Sequence, residues 1–264
     1  MSTFDWSGFL LVSGVSLAVV AAAMAVTAAV ARRVGRYSVV DVTWGLALAS
    51  AGVVGLLLGP GDLARRVLLA VLVTIWGCRL SWHIYARSRG HGEDPRYDAM
   101  LAGAPGSRFA YAVRKVFLVQ GAAVWFVSLP LQVAAVAPGG LGWVAAVGAA
   151  VWLVGVVFES VGDAQLRAFK ADPANRGRIM DRGLWSWTRH PNYFGDACVW
   201  WGLWLVAAEA WPGILTVLSP ATMTYFLMYA TGGKPLERSM SQRPGYREYM
   251  ARTSFFFPLP PRRP

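Results

Sequence analysis

The stretch GFLLVSGVSLAVVAAAMAVTAAVA, Gly8–Ala31, holds no charged residue and is followed at once by Arg32, Arg33 and Arg36. A run this long and apolar matches the ~20 residues a helix needs to cross about 30 Å of hydrocarbon. The chain repeats the device at Val39–Gly59, Val67–Tyr85, Phe117–Val136, Leu141–Gly162, Tyr193–Ala208 and Gly213–Thr231, so seven spans are expected. A hydrophobic share of 56% and a mean hydropathy of +0.43 exclude an ordinary soluble domain. Each segment must satisfy its own backbone in lipid, which selects helices; barrel-type alternation is absent. The expected fold class is all-α, a polytopic membrane helix bundle forming one transmembrane domain over residues 1–264. Gly8–Ala31 does not read as a signal peptide: no basic segment precedes it, it is too long, and its Arg pair follows it.

The net charge of +11 invites a nucleic-acid reading, but its distribution argues against one. Basic residues crowd alternate loops: Arg32, Arg33 and Arg36; Arg87, Arg89, Arg96, Arg108, Arg114 and Lys115; Arg167, Lys170, Arg176, Arg178, Arg182 and Arg189; and the tail from Lys234. The intervening loops hold only Arg65 and Arg66. This is the positive-inside pattern, with the N-terminus outside and the C-terminus in the cytoplasm. The expected partners are membrane lipids and a lipophilic small molecule drawn from the bilayer, and an anionic cofactor would be met from the basic side.

Against this apolar background, Gly183-Leu184-Trp185-Ser186-Trp187-Thr188-Arg189-His190-Pro191-Asn192-Tyr193-Phe194-Gly195-Asp196 stands out. Such a polar cluster at a membrane boundary is costly unless it meets a ligand or a partner. Asp41, one turn into the second span, is either an interfacial acid paired with Arg36 or Arg79, or an acid that grips substrate. Arg79, His83 and Arg87 share a helix face, as do Glu159 and Asp163, whose like charges need a partner such as Arg167 or the ribose or amide of a nucleotide. Asp163–Lys170 reads as an amphipathic extension of the fifth span, broken by Pro173 and Gly177. Tyr246, Tyr249 and Arg252 share one face of a tail helix. Trp200, Trp201 and Trp204 read as a membrane-interface belt. Cys78 and Cys198 read as apolar filler, and neither a metal-ligand pattern nor a Rossmann or P-loop motif appears.

The run Arg189–Asp196 resembles the Arg-His-Pro-Asn-Tyr-x-Gly-Glu/Asp motif of membrane steroid 5-alpha reductases, and the chain as a whole is similar to a bacterial group of uncharacterised membrane proteins classed with them. The likeness extends through Asp41–Gly45, Glu93-Asp94 with Arg96-Tyr97, Phe117–Gly121, Ser128–Leu131, Glu159–Lys170, Asn175–Gly177, Leu236-Glu237 and the Tyr246/Tyr249 tail. It implies a seven-helix NADPH-dependent oxidoreductase of lipid metabolism, in a bacterial cytoplasmic membrane, that reduces a C=C bond conjugated to a carbonyl. Residues 1–137 would shape the lipid pocket and 138–264 would hold the nucleotide. Asp163, Lys170, Arg178, Asn192 and Asp196 fall on nucleotide-site positions, and Glu159, Arg189, His190, Tyr193, Tyr246 and Arg252 complete the candidate cofactor set. Asp41 falls near the family's substrate-gripping acid. The family's tyrosine beside the carbonyl has no clear counterpart, and His83 or Tyr85 is the expected replacement. Asp196 stands where steroid reductases carry Glu.

The chemistry is coherent with this. Hydride addition to an enone builds negative charge on the carbonyl oxygen, and a neutral, desolvated acid such as a protonated Asp41 is the expected hydrogen-bond donor there. The alternative is an S-adenosylmethionine-dependent methyltransferase of the isoprenylcysteine carboxyl type, which shares Arg-His-Pro-x-Tyr but carries a Glu-Glu pair where this chain has Glu237-Arg238. A transporter or scaffold is a third class, and the chain shows no internal repeat that would point to it. The charge alternation makes one direct prediction. Reporter fusions after Ala137 and Glu209 should read outside and a fusion after Pro264 inside; a cytoplasmic signal from Pro138–Gly140 would overturn the seven-span topology.

Overall fold

The computed structural model describes residues 4–262 and is an all-α polytopic bundle with no strand among them. Its helices are α1 Trp6–Val34, α2 Val39–Leu58, α3 Leu63–Ser88, α4 Pro95–Ala102, α5 Arg108–Val127, α6 Leu129–Ala134, α7 Trp143–Ala171, α8 Leu184–Trp187, α9 Pro191–Ala208, α10 Leu218–Tyr225, α11 Gly233–Met240 and α12 Tyr246–Arg252. Among the described residues six helices are long and apolar enough to cross a membrane: α1, α2, α3, α5, α7 and the run Gly213–Met240 that contains α10 and α11. The segment expected at Tyr193–Ala208 forms as α9 but is not among the six, and its first turns carry Asn192 and Asp196.

Helix ends follow local chemistry. Asp5 caps α1, accepting from the Gly8 N–H at 2.9 Å. α5 starts at Arg108, well before the expected Phe117, because the Ser107 hydroxyl accepts from the Ala110 N–H; a π-helical turn at Val113–Phe117 carries it onward. It stops at Val127, where Ser128 Oγ turns back to the Trp125 carbonyl and Pro130, lacking an N–H, opens α6. α7 runs to Ala171, so the expected amphipathic extension is continuous with the span, and Gly177 beyond it takes φ +80°.

The chain divides into two compact units. One holds the chain up to Ala145 together with Leu203–Ser219, and the other holds Ala146–Gly202 and the chain from Pro220. In the first unit α2 and α3 meet so closely that a Cβ on Gly45 would collide with the Gly77 carbonyl, and the reverse. In the second, a Cβ on Gly155 would lie 2.6 Å from the Gly195 carbonyl, and one on Gly202 would lie 2.6 Å from that of Gly148. Small residues at matched spacing on α7 and α9 therefore set their approach, the usual route to tight helix contact in lipid. Trp200, read as part of an interfacial belt, is fully buried, so it is a core residue; Trp201 donates to Thr224 Oγ1 at 3.0 Å.

In the first unit, charged side chains satisfy loop and helix-terminal backbone. Arg65 is fully buried, and its guanidinium donates to the carbonyls of Ala137 at 3.2 Å, Pro138 at 3.4 Å, Gly139 at 2.5 Å and Gly140 at 2.8 Å. Arg66 donates to the Leu56 carbonyl in the last turn of α2 at 2.7 Å and to Gly61 at 3.0 Å. Glu209 accepts from the Ala145 N–H in the first turn of α7 at 2.7 Å. The two arginines of the otherwise arginine-poor loops are thus structural. Arg65→Ala strips a donor from four carbonyls and should lower unfolding stability in detergent by about 2–4 kcal/mol, with Arg66→Ala costing less. An unchanged unfolding midpoint for Arg65→Ala would show that the loop holds without it.

Candidate functional site

Two polar clusters emerge, one in each unit. The first is built on α4. Glu93 precedes this helix and accepts from the backbone N–H groups of Tyr37, Ser38 at 3.0 Å and Asp94 at 3.0 Å, which ties the loop to the start of α2. Asp94 caps α4 and binds Arg96 through both carboxylate oxygens, at 3.1 and 2.9 Å. One turn of helix then carries Tyr97 over Asp41. The Tyr97 hydroxyl donates to Asp41 Oδ1 at 2.5 Å and accepts from Gln120 Nε2 at 3.0 Å, while Arg96 lies 3.4 Å from Asp41 Oδ2.

The electrostatics of this cluster are uneven. Tyr97 is buried, and burial together with the Asp41 carboxylate pushes its phenol far above the usual value, outweighing Gln120 and Arg96. It therefore stays a neutral donor. Burial raises Glu93, but the Ser38 side chain and three backbone N–H groups outweigh it and hold the carboxyl below its ordinary value. Thr27 and Thr43 exchange a hydroxyl hydrogen bond at 2.8 Å between α1 and α2.

The second cluster surrounds the start of α9. Arg189 Nε donates to Glu237 Oε1 at 2.5 Å, and its Nη1 donates to the carbonyls of Met250 at 3.0 Å and Thr253 at 2.5 Å. His190 Nε2 lies 3.3 Å from the same Glu237 oxygen. All three side chains are buried. The tail is zipped to this point: the Arg189 N–H donates to the Ser254 carbonyl, Thr188 Oγ1 to Phe256, Tyr249 to Trp185 at 2.6 Å and the Leu259 N–H to Trp187. Trp185 Nε1 reaches the Gly162 carbonyl on α7 at 3.0 Å. Burial, reinforced by Glu237, pushes the Tyr246 phenol up to about 12, and burial raises Tyr249 as well.

Most of the expected cofactor residues converge here. Asn192 Nδ2 donates to Asp163 Oδ1 at 3.3 Å, so the like-charged Glu159/Asp163 face has a neutral amide partner. Tyr193 stacks on His190 with ring centroids 5.4 Å apart. Glu159 and Asp196 are buried, and Gly195 lies directly against the Glu159 backbone. Arg252 pairs with Asp181, and Lys170 and Arg178 are exposed. Arg189 and His190 are committed to Glu237 and the tail. The phenol that meets Asp41 is Tyr97, which α4 supplies; Tyr85 is exposed with its ring against Trp82, and His83 is half-buried on α3. Spacing in the sequence marks neither Tyr97 nor Gln120 as a partner of Asp41, nor Glu237 as the partner of Arg189 and His190.

Comparison with known families adds one match. A family model described as a protein of unknown function, DUF1295, covers residues 27–253, from the last turns of α1 through α12. The chain belongs to the DUF1295 family. No curated protein and no solved structure matches the chain. The DUF1295 match takes in both polar clusters.

The Glu93 anchor has a pH signature. Its folded value lies below the ordinary 4.5, so its contribution is complete above that value and is lost as pH falls below it through the folded value. Glu93→Gln should cost roughly 1–2 kcal/mol at neutral pH and flatten the acid limb of the stability profile. An acid limb identical in wild type and variant would remove Glu93 from this role.

Proposed function

We propose that this DUF1295 protein is an integral membrane oxidoreductase that uses NADPH to reduce a C=C bond conjugated to a carbonyl in a lipophilic substrate. The observation that carries the reading is the chain Gln120→Tyr97→Asp41, with Arg96 at its far end. Gln120 donates to the phenol oxygen and so turns the phenol proton outward to its acceptor. A substrate carbonyl that takes Asp41's place as acceptor receives a fixed donor from a buried group. The Arg96 charge stands beside the same point. Such donors gain strength in a dry pocket as negative charge builds on the oxygen. The family's association with steroid 5-alpha reductase-like proteins supports the same chemistry.

The second cluster suits a nucleotide. Asn192 and Tyr193 open α9 half-buried, and the acidic pair Glu159/Asp163 fits hydroxyl groups. Arg176, Arg178 and Arg182 are exposed and fit phosphates through charge-assisted bonds. When bound, NADPH supplies the hydride. Arg189 and His190 then serve by holding the tail and the start of α9 rather than by touching the ligand. We place the basic loops in the cytoplasm and the protein in a bacterial cytoplasmic membrane.

Thermal unfolding of the detergent-purified protein should rise with NADPH and not with S-adenosylmethionine. Stabilisation by S-adenosylmethionine alone would replace the reading with the methyltransferase. Asn192→Ala and Arg178→Ala should weaken NADPH binding while the protein stays folded. Tyr97→Phe should leave that binding intact and cut enone reduction by about 100-fold for the lost donor. Full turnover in Tyr97→Phe would remove Tyr97 from the chemistry.

A further inference from the structure

The first unit contains a cavity that neither cluster uses. It measures about 530 Å³ and is lined by Ala25, Ala28, Ala29, Arg32, Arg33 and Phe109. We propose that it binds an anionic phospholipid, with the headgroup phosphate at Arg32 and Arg33 and an acyl chain along the alanines of α1.

Three observations point to this occupant. The lining carries two positive charges and no acid, so it complements an anion. Backbone, not Arg32 or Arg33, caps the Ala31 carbonyl: the N–H groups of Gly35 and Arg36 both donate to it, at 2.9 and 3.2 Å. This separates them from Arg65 and Arg66, whose guanidinium groups hydrogen-bond to backbone carbonyls. The Arg32 guanidinium instead lies 5.0 Å above the Phe109 ring centroid. A guanidinium over an aromatic face still has N–H groups for a phosphate.

The other half of the cavity is apolar. Ala25 and Ala29 are exposed one helical turn apart, with Ala28 buried between them, which makes a shallow shelf on a membrane-spanning helix. A free phosphate has no use for that shelf, and a zwitterionic lipid has less use for two arginines. The arginines close the span at the depth where anionic headgroups lie.

The full-length protein in detergent would be titrated with phosphatidylglycerol, phosphatidylcholine or inorganic phosphate, and its unfolding midpoint followed. Phosphatidylglycerol should raise the midpoint with saturation and the other two should not. Arg32→Gln/Arg33→Gln should raise the half-saturating lipid concentration about thirtyfold, and Ala29→Phe, which fills the shelf and keeps both charges, should also weaken binding. The control Arg243→Gln/Arg247→Gln, two exposed tail arginines, should bind as wild type. Equal stabilisation by phosphatidylcholine or inorganic phosphate would overturn the proposal. So would an equal loss in the control, or unchanged binding in Ala29→Phe, since each would leave only non-specific charge attraction.

Discussion

The guanidinium of Arg65, spread over four consecutive carbonyls, shows the constraint on which this structure rests. A helix ends with backbone groups it cannot pair itself, and in a membrane protein water does not reach all of them. The chain answers with charged side chains that point at backbone. Arg65 covers the loop carbonyls of Ala137–Gly140 and Arg66 a C-terminal carbonyl of α2, while Asp62 and Glu209 take N-terminal N–H groups of α3 and α7. Glu93 does the same at the start of α2, and Arg189 covers the carbonyls of Met250 and Thr253 at the end of α12. Where the backbone group ends a helix, the sign of the side chain complements the helix dipole, which adds to the hydrogen bond.

This use of charge changes the reading of the Arg-His motif. A buried pair such as Arg189–Glu237 gives little net stability over an apolar pair, yet removing one partner costs about 3–5 kcal/mol because the other is left buried and charged. The pair is therefore fixed, and with it His190, which stacks on Tyr193 and meets Phe255 edge-on. The motif divides by position. Its first two residues fasten the tail, and Asn192, Tyr193 and Asp196 follow on the first turns of α9. An intact motif is thus a requirement of the fold before it is a requirement of any ligand.

What the sequence made legible follows from which interactions are local. Uninterrupted apolar runs located α1, α2, α3 and α7 within a few residues, because length and hydropathy are properties of a segment alone. The extension of α7 past Asp163 and the break near Pro173 were legible for the same reason. α5 was misplaced because its start depends on the Ser107 cap inside a polar stretch that reads as loop. Trp200 was misread because a tryptophan near a polar boundary looks alike whether it faces lipid or protein. The partners of Asp41 and Arg189 were out of reach, since Tyr97 lies 56 residues from Asp41 and Glu237 lies 48 from Arg189. Nothing in spacing selects one such pair over another.

The run Glu93-Asp94-Pro95-Arg96-Tyr97 shows how a local stretch becomes a non-local site. Glu93 fastens it to the start of α2, Asp94 and Pro95 begin α4, and the helix places Arg96 and Tyr97 on Asp41. Gln120 on α5 then fixes the phenol from the other side. Each contact alone is worth little, about 1 kcal/mol for a neutral hydrogen bond. Their value lies in order: with the start of α4 held, the phenol has one acceptor in Asp41 and one donor in Gln120. Fixing a donor before a charge develops is what electrostatic stabilisation of an oxyanion requires. Here that fixing is done by the same helix-terminal carboxylates that satisfy the backbone, so the site's geometry comes from the fold's own solution to being buried.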